Sequence, residues 1–84
     1  MEENERLREM VFEVIENQIR DNNPKETKIT LDRLVSRGIP HDEAMKYIGC
    51  VVSTEIFDII RDGKEFDEKA YIKALQALPT LPWE

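Results

Sequence analysis

The chain has 84 residues, and its 12 Lys and Arg are outnumbered by 18 Asp and Glu, which gives a formal net charge of −6. A nucleic-acid backbone or an anionic membrane is bound through clustered positive charge, so this balance argues against both as partners. No apolar run approaches the ~20 residues of a membrane-spanning helix, and the acidic start lacks the basic and apolar regions of a signal peptide. We therefore expect one small cytoplasmic domain. Its single cysteine, Cys50, cannot form an intramolecular disulfide.

Two amphipathic helices are predicted in the first half of the chain. The first runs from Glu3 to Asp21. Its stripe at helical spacing consists of Leu7, Met10, Val11, Val14, Ile15 and Gln18. The second begins with Asn23 as N-cap and with Pro24 in the first turn, where a missing N–H costs nothing. Its stripe consists of Thr27, Leu31, Leu34 and Val35, and Gly38 ends it.

The third predicted helix follows Pro40, continues through Arg61, and is the longest and most apolar. Its broad apolar arc consists of Ala44, Met45, Ile48, Val52, Ile56, Ile59 and Ile60. An arc of this width is typical of a helix that is covered by several neighbours, so we place it at the centre of the fold. Gly49, at the edge of the arc, should let a neighbouring helix approach closely.

The fourth predicted helix spans about Asp67 to Leu78. Phe66 and Tyr71 bracket Asp67 with the spacing of a hydrophobic staple around an N-cap. The two prolines of the following segment prevent a longer helix. We therefore predict an all-α fold, a compact antiparallel bundle of about four helices over residues 1–78, with a Pro-rich tail over residues 79–84.

Two polar residues fall on apolar faces, namely Gln18 in the first helix and Glu55 in the third. A buried carboxylate needs hydrogen bonds or a cation, or its pKa rises. One interpretation makes Glu55 a general base or metal ligand, together with His41. The other, which we favour, has Glu55 accept hydrogen bonds from Gln18 or lie at the rim beside a cation. A metal site needs three or four ligands, and the sequence contains no second histidine.

His41 and Cys50 are the remaining residues with reactive side chains. His41 lies at a predicted helix start, and we interpret it as an exposed residue of the first turn. Cys50 lies in mid-helix without an adjacent cationic terminus that would lower its pKa, so we expect a packed, inert thiol. We assign no catalytic residue and no metal ligand, and we expect no cofactor.

Four apolar residues lie off the predicted core stripes and are candidates for an interface: Ile29, Cys50, Phe57 and Trp83. Phe57 either packs under another helix or anchors a contact, because aromatic anchors dominate interface energies. Trp83 either folds back as a lid on the core or docks on a partner as part of the tail.

Four short motifs occur in a characteristic order along the chain: Asn22-Asn23-Pro24, Glu55-Ile56-Phe57-Asp58, Phe66-Asp67-Glu68 and Leu78-Pro79. Their order resembles a small helical family of bacterial and archaeal proteins without assigned activity, some of them fused to SEC-C-type cysteine-rich motifs. The resemblance implies a helical fold and supplies no catalytic residues. This chain has no such cysteine motif.

These observations predict a non-enzymatic interaction module that binds a protein partner or a second copy of itself as a homodimer. A chain of this size buries only about 60–65% of its unfolded surface, so an interface would add to a marginal core. The alternative is a small metal-dependent or hydrolase-like activity around Glu55, Gln18 and His41.

Overall fold

Four α-helices joined by short connections make up the fold. The computed structural model describes the backbone of residues 2–84 and the side chains of residues 5–84, so the side chains of Glu2 and Glu3 lie outside it. The helices are α1 (Glu2–Asp21), α2 (Lys25–Ser36), α3 (His41–Asp62) and α4 (Glu68–Ala77), and the described residues include no strand. The prediction of an all-α bundle with a long third helix is confirmed. In the described part of the chain, no helix combines the length and apolar character needed to cross a membrane.

The start of α2 differs from the prediction. Pro24, not Asn23, occupies the N-cap position, and no side chain caps the helix there. The two asparagines instead close α1: the Asn22 N–H donates to the carbonyl of Ile19 (3.2 Å) and the Asn23 N–H to that of Gln18 (3.0 Å). Asn22 has a positive φ of 51°, as the left-handed residue of this C-terminal motif requires. The Asn23 backbone therefore satisfies a carbonyl at the end of α1 and does not cap the start of α2.

The start of α4 agrees with the prediction. The Asp67 carboxylate accepts a hydrogen bond from the Ala70 N–H at 3.1 Å, as an N-cap does. The rings of Phe66 and Tyr71 lie 5.6 Å apart and are tilted by 57°, so the predicted staple is formed.

The core lies where α3 meets the other three helices, each of which it contacts. The buried apolar residues are Val11, Ile15, Leu31, Leu34, Ala44, Met45, Ile48, Val51, Val52, Tyr71, Leu75 and Leu78. Gly49 brings α1 close to α3, because a Cβ at this position would lie 3.3 Å from a methyl carbon of Val11. The predicted close approach at Gly49 is therefore confirmed.

The two long helices extend beyond the two short ones. At 1.5 Å per residue, α1 and α3 are about 30 and 33 Å long, whereas α2 and α4 are about 18 and 15 Å long. Parts of the predicted stripes are not buried. Leu7, Met10 and Val14 of α1 are exposed, and Ile60 of α3 is 74% exposed, although all four were predicted to be buried. The predicted arc of α3 is fully buried only as far as Val52.

Arg33 of α2 fixes the end of α4. Its Nη1 donates to the Leu78 carbonyl at 2.7 Å and its Nη2 to the Leu75 carbonyl at 3.0 Å. A cation at a helix C-terminus also interacts favourably with the helix dipole. The predicted tail is held against the domain beyond this point, because Leu81 packs on the core.

Candidate functional site

An open apolar groove of about 510 Å³ lies between α1, α3 and the C-terminal segment, and we call it the α1–α3 groove. It is lined by Leu7, Arg8, Val11, Phe12, Lys46, Gly49, Cys50, Ser53, Thr54, Phe57 and Trp83. Its walls are one face of α1 and one face of α3. These helices run antiparallel here, because Leu7 lines the groove with Phe57 while Val11 packs against Gly49.

Helical periodicity explains why these residues share one surface. Lys46, Cys50, Ser53 and Phe57 recur at intervals of three and four residues and so lie on one face of α3. The hydroxyl of Thr54 donates to the Cys50 carbonyl at 2.9 Å, so its hydrogen-bonding need is met within the helix. The wall of the groove is therefore mostly apolar.

Three of the four candidate interface residues line this groove. Phe57 is 61% exposed and Trp83 is 66% exposed, so no helix covers Phe57 and Trp83 is not a buried lid. Leu81 is the residue of the tail that packs on the core. Cys50 is half-buried at the groove. The fourth candidate, Ile29, is 55% exposed on α2 and does not line the groove.

The charged residues that line the groove are both cations, Arg8 on α1 and Lys46 on α3. In a chain with a net charge of −6, this local sign is the reverse of the average. A neighbouring hollow, lined in part by Tyr47 and Leu81, adds one carboxylate, Glu43, beside Lys46. Sequence reasoning did not assign Arg8, Lys46 or a third aromatic lining residue, Phe12, to a site. The spacing of Lys46 relative to Phe57 on α3 was visible in the sequence, but the pairing of α3 with α1 was not.

Cys50 has the properties of an inert thiol. Burial raises the pKa of its thiol above the ordinary value, so the thiolate is depleted at neutral pH. Because the thiolate is the nucleophilic form, the groove offers no activated nucleophile at this position.

A second cleft lies on the other side of the α1–α3 contact and contains the two polar residues singled out in the sequence. It is lined by Val14, Gln18, Val52, Glu55, Ile56, Ile59, Phe66 and Tyr71, and we call it the Glu55 cleft. The Gln18 side-chain oxygen accepts hydrogen bonds from the Thr27 hydroxyl and the Tyr71 hydroxyl, both at 2.8 Å. The predicted hydrogen bond from Gln18 to Glu55 is not formed. The Gln18 side chain is instead oriented by the two buried hydroxyls that donate to its oxygen.

Glu55 is half-buried at the rim of its cleft. Burial raises the pKa of its carboxyl group, and the negative charges of Asp58 and Asp67 raise it further. The neighbours of Glu55 therefore disfavour its charged form, which is the opposite of what a cation beside it would do.

The alternative catalytic or metal site is not assembled. His41 and Glu55 are fourteen residues apart on α3, which separates them by about 21 Å along the helix axis. His41 is exposed at the start of α3 beside Asp42, as predicted. In the part of the chain that the structure describes, no three His, Cys, Asp or Glu residues are grouped so that they could hold a metal ion.

Comparisons with protein-family models, with curated proteins and with solved structures found no match to this chain. The resemblance to an uncharacterised helical family stays a prediction. The two surfaces themselves are therefore the guide to function.

Proposed function

We propose that this protein is a non-enzymatic interaction module whose α1–α3 groove binds an apolar segment of a protein partner that carries acidic residues. One observation carries the proposal: a groove with two exposed aromatic side chains has only cations as charged lining residues, on a chain that is strongly acidic overall.

The apolar part of the proposal follows from the exposed aromatics. Large aromatic side chains near the centre of a contact contribute most of its energy, and Phe57 and Trp83 both keep most of their surface free. A groove between two helices is also the common docking site for an amphipathic helix, which inserts residues spaced by three and four positions. The groove volume of about 510 Å³ accommodates several such side chains.

The acidic part follows from Arg8 and Lys46. Charges across an interface select partners of opposite sign and disfavour partners of like sign. Although the whole chain repels an acidic partner at long range, salt screens that repulsion beyond about 8 Å at physiological ionic strength. At contact distance, the two cations of the groove therefore dominate.

The cytoplasm is the location that we propose for this function. Cys50 is a free thiol, and free thiols are stable in a reducing compartment.

Trp83 is the only tryptophan of the chain, so its fluorescence reports directly on the groove. The probe is a synthetic amphipathic helical peptide with Leu on one face and Glu on the other, and the matched control peptide has Lys in place of Glu. We expect the acidic peptide to shift the Trp83 emission to the blue with saturation, and the basic peptide to act only at much higher concentration.

Phe57→Asp should abolish this shift because it places a charge in the apolar groove, whereas Ile29→Asp should not. Ile29 is a matched control, since it is a similarly exposed apolar residue on a helix face that does not line the groove. Equal affinity for both peptides, or equal loss in both variants, would contradict the proposal. A loss of helicity in Phe57→Asp would show that Phe57 belongs to the core and that the site is wrongly placed.

A further inference from the structure

The connection between α3 and α4 exposes an aromatic side chain between two carboxylates. Phe66 is 51% exposed, and Glu65 and Asp67 flank it in the sequence. We call residues 65–67 the acidic tip. The Phe66 ring packs against the Tyr71 ring, which fixes its position at the edge of the Glu55 cleft. The rest of the ring is free for a contact.

The surroundings of this tip are strongly acidic. The hollow beside it is lined by five carboxylates, from Glu55, Asp58, Asp62, Glu65 and Asp67, and by two cations, Arg61 and Lys64. Arg61 is already engaged, because it forms ion pairs with Asp58 at 2.9 Å and with Asp62 at 3.2 Å. In the described part of the chain, Glu65 forms no ion pair. Burial, and then the negative charges of Asp58 and Asp67, raise the pKa of the Glu55 carboxyl group in this hollow.

The tip and the α1–α3 groove are complementary in both respects that matter for binding. The groove offers apolar walls with two cations, Arg8 and Lys46. The tip offers an aromatic ring with a carboxylate on either side. An aromatic ring that enters the groove would bury apolar surface, while its neighbours would place negative charge near the two cations.

The groove and the Glu55 cleft, at whose edge the tip lies, face different directions. One neighbour therefore cannot bind the groove and the tip at once. On α3, the groove residues and the residues of the Glu55 cleft point about 140° apart at 100° per residue. A two-fold dimer built on the groove alone would place groove against groove, with cation opposite cation. A contact between two different surfaces is instead heterologous, and it repeats from one copy to the next.

We infer that the partner of the groove is a second copy of this chain, whose acidic tip binds head to tail so that Phe66 inserts beside Phe57 and Trp83. This inference depends on the proposed function of the groove and names its occupant. Because each copy carries both a groove and a tip, the assembly grows beyond a dimer.

The test is sedimentation equilibrium of the full chain up to about 1 mM, where weak contacts are still populated. We expect the wild-type mass to rise with concentration beyond twice the chain mass of 9.9 kDa. Phe57→Asp removes the groove and Phe66→Asp removes the tip, so each variant alone should stay monomeric. A 1:1 mixture should form dimers and nothing larger, because one intact groove and one intact tip remain. Ile29→Asp should assemble like the wild type.

A charge exchange keeps the inference testable if Phe66→Asp disturbs the start of α4. Glu65→Lys leaves the Phe66–Tyr71 contact and the Asp67 cap in place, and Lys46→Glu reverses a cation of the groove. Each substitution alone should weaken assembly, and the doubly substituted chain should recover it because the opposite signs are restored.

Several results would overturn the inference. Assembly of Phe66→Asp without that of Phe57→Asp would indicate a two-fold contact between grooves, and a monomeric 1:1 mixture of the two variants would exclude the head-to-tail contact. A wild type that stays monomeric while the acidic peptide still shifts Trp83 emission would exclude the second copy but retain the proposed function. A monomer that also fails to bind the peptide would overturn both.

Discussion

Replacing Arg33 by Met should destabilise the protein by about 2 kcal/mol. The guanidinium donates to two carbonyls at the end of α4, those of Leu75 and Leu78, and both residues are buried. A hydrogen bond from a charged donor contributes roughly 1.5–3 kcal/mol, and a cation at a helix C-terminus about 0.3–1 kcal/mol. Arg33 is half-buried, so water takes over part of these interactions after the substitution. The free energy of unfolding is roughly 0.05–0.15 kcal/mol per residue, or about 4–13 kcal/mol for a chain of this size. A loss of about 2 kcal/mol is therefore a large fraction of the total stability.

Urea unfolding followed by circular dichroism measures this loss. An unchanged slope of the free energy of unfolding against urea concentration would show that the unfolding reaction is the same. Arg37→Met is the matched control, because Arg37 is exposed and its side chain forms no hydrogen bond in the described structure. Arg33→Lys should fall between the two, since an ammonium group does not reproduce the forked geometry of a guanidinium. A difference of less than about 0.5 kcal/mol between Arg33→Met and Arg37→Met would refute the reasoning, because that is the range of ordinary surface substitutions.

Two further predictions concern the Glu55 cleft. Tyr71→Phe should lower the free energy of unfolding by about 1 kcal/mol. Gln18→Leu should lower it by about 2–4 kcal/mol, because it removes the acceptor of two buried hydroxyls. Tyr47→Phe is the control in the same urea assay. A smaller cost for Gln18→Leu than for Tyr71→Phe would contradict the network. Glu55→Gln should raise stability at pH 7, because burial and then nearby carboxylates raise the pKa of Glu55 in the folded state. For an acid with a raised folded pKa, stability is full below the unfolded pKa and is lost as the pH rises through the folded pKa. The advantage of the variant should therefore vanish at acidic pH, and an advantage that persists there would exclude this cause.

Local patterns predicted the parts of the fold that depend on neighbouring residues in the sequence. Asp67 was recognised as an N-cap from Phe66 and Tyr71, since all three lie within six consecutive residues. The same reasoning failed at Asn23, because the pair Asn22-Asn23 suits two local roles. Closing α1 and capping α2 both fit the sequence, and only the backbone conformation decides between them.

The features that sequence reasoning missed depend on contacts between distant parts of the chain. Arg33 meets Leu78 across 45 positions, and no local pattern indicates that contact. Arg8 and Lys46 line one groove because α1 packs antiparallel on α3, which periodicity within a single helix cannot show. The burial of Ile60 was also wrongly predicted. Its position on the arc of α3 was suitable for burial, but its side chain is 74% exposed although the start of α4 lies beside Ile59 and Asp62.

The exposed apolar residues on the two long helices support the proposed binding function. The fully buried part of α3 ends at Val52, so its last ten residues contribute no fully buried residue. A helix segment that serves only as an extension gains nothing from apolar residues, yet this one presents Phe57 and Ile60 to solvent. Single exposed apolar residues are ordinary, but here Phe57 lies on one surface with Leu7 from the matching overhang of α1. Exposed together on one surface, these side chains fit the contact with another chain that we propose.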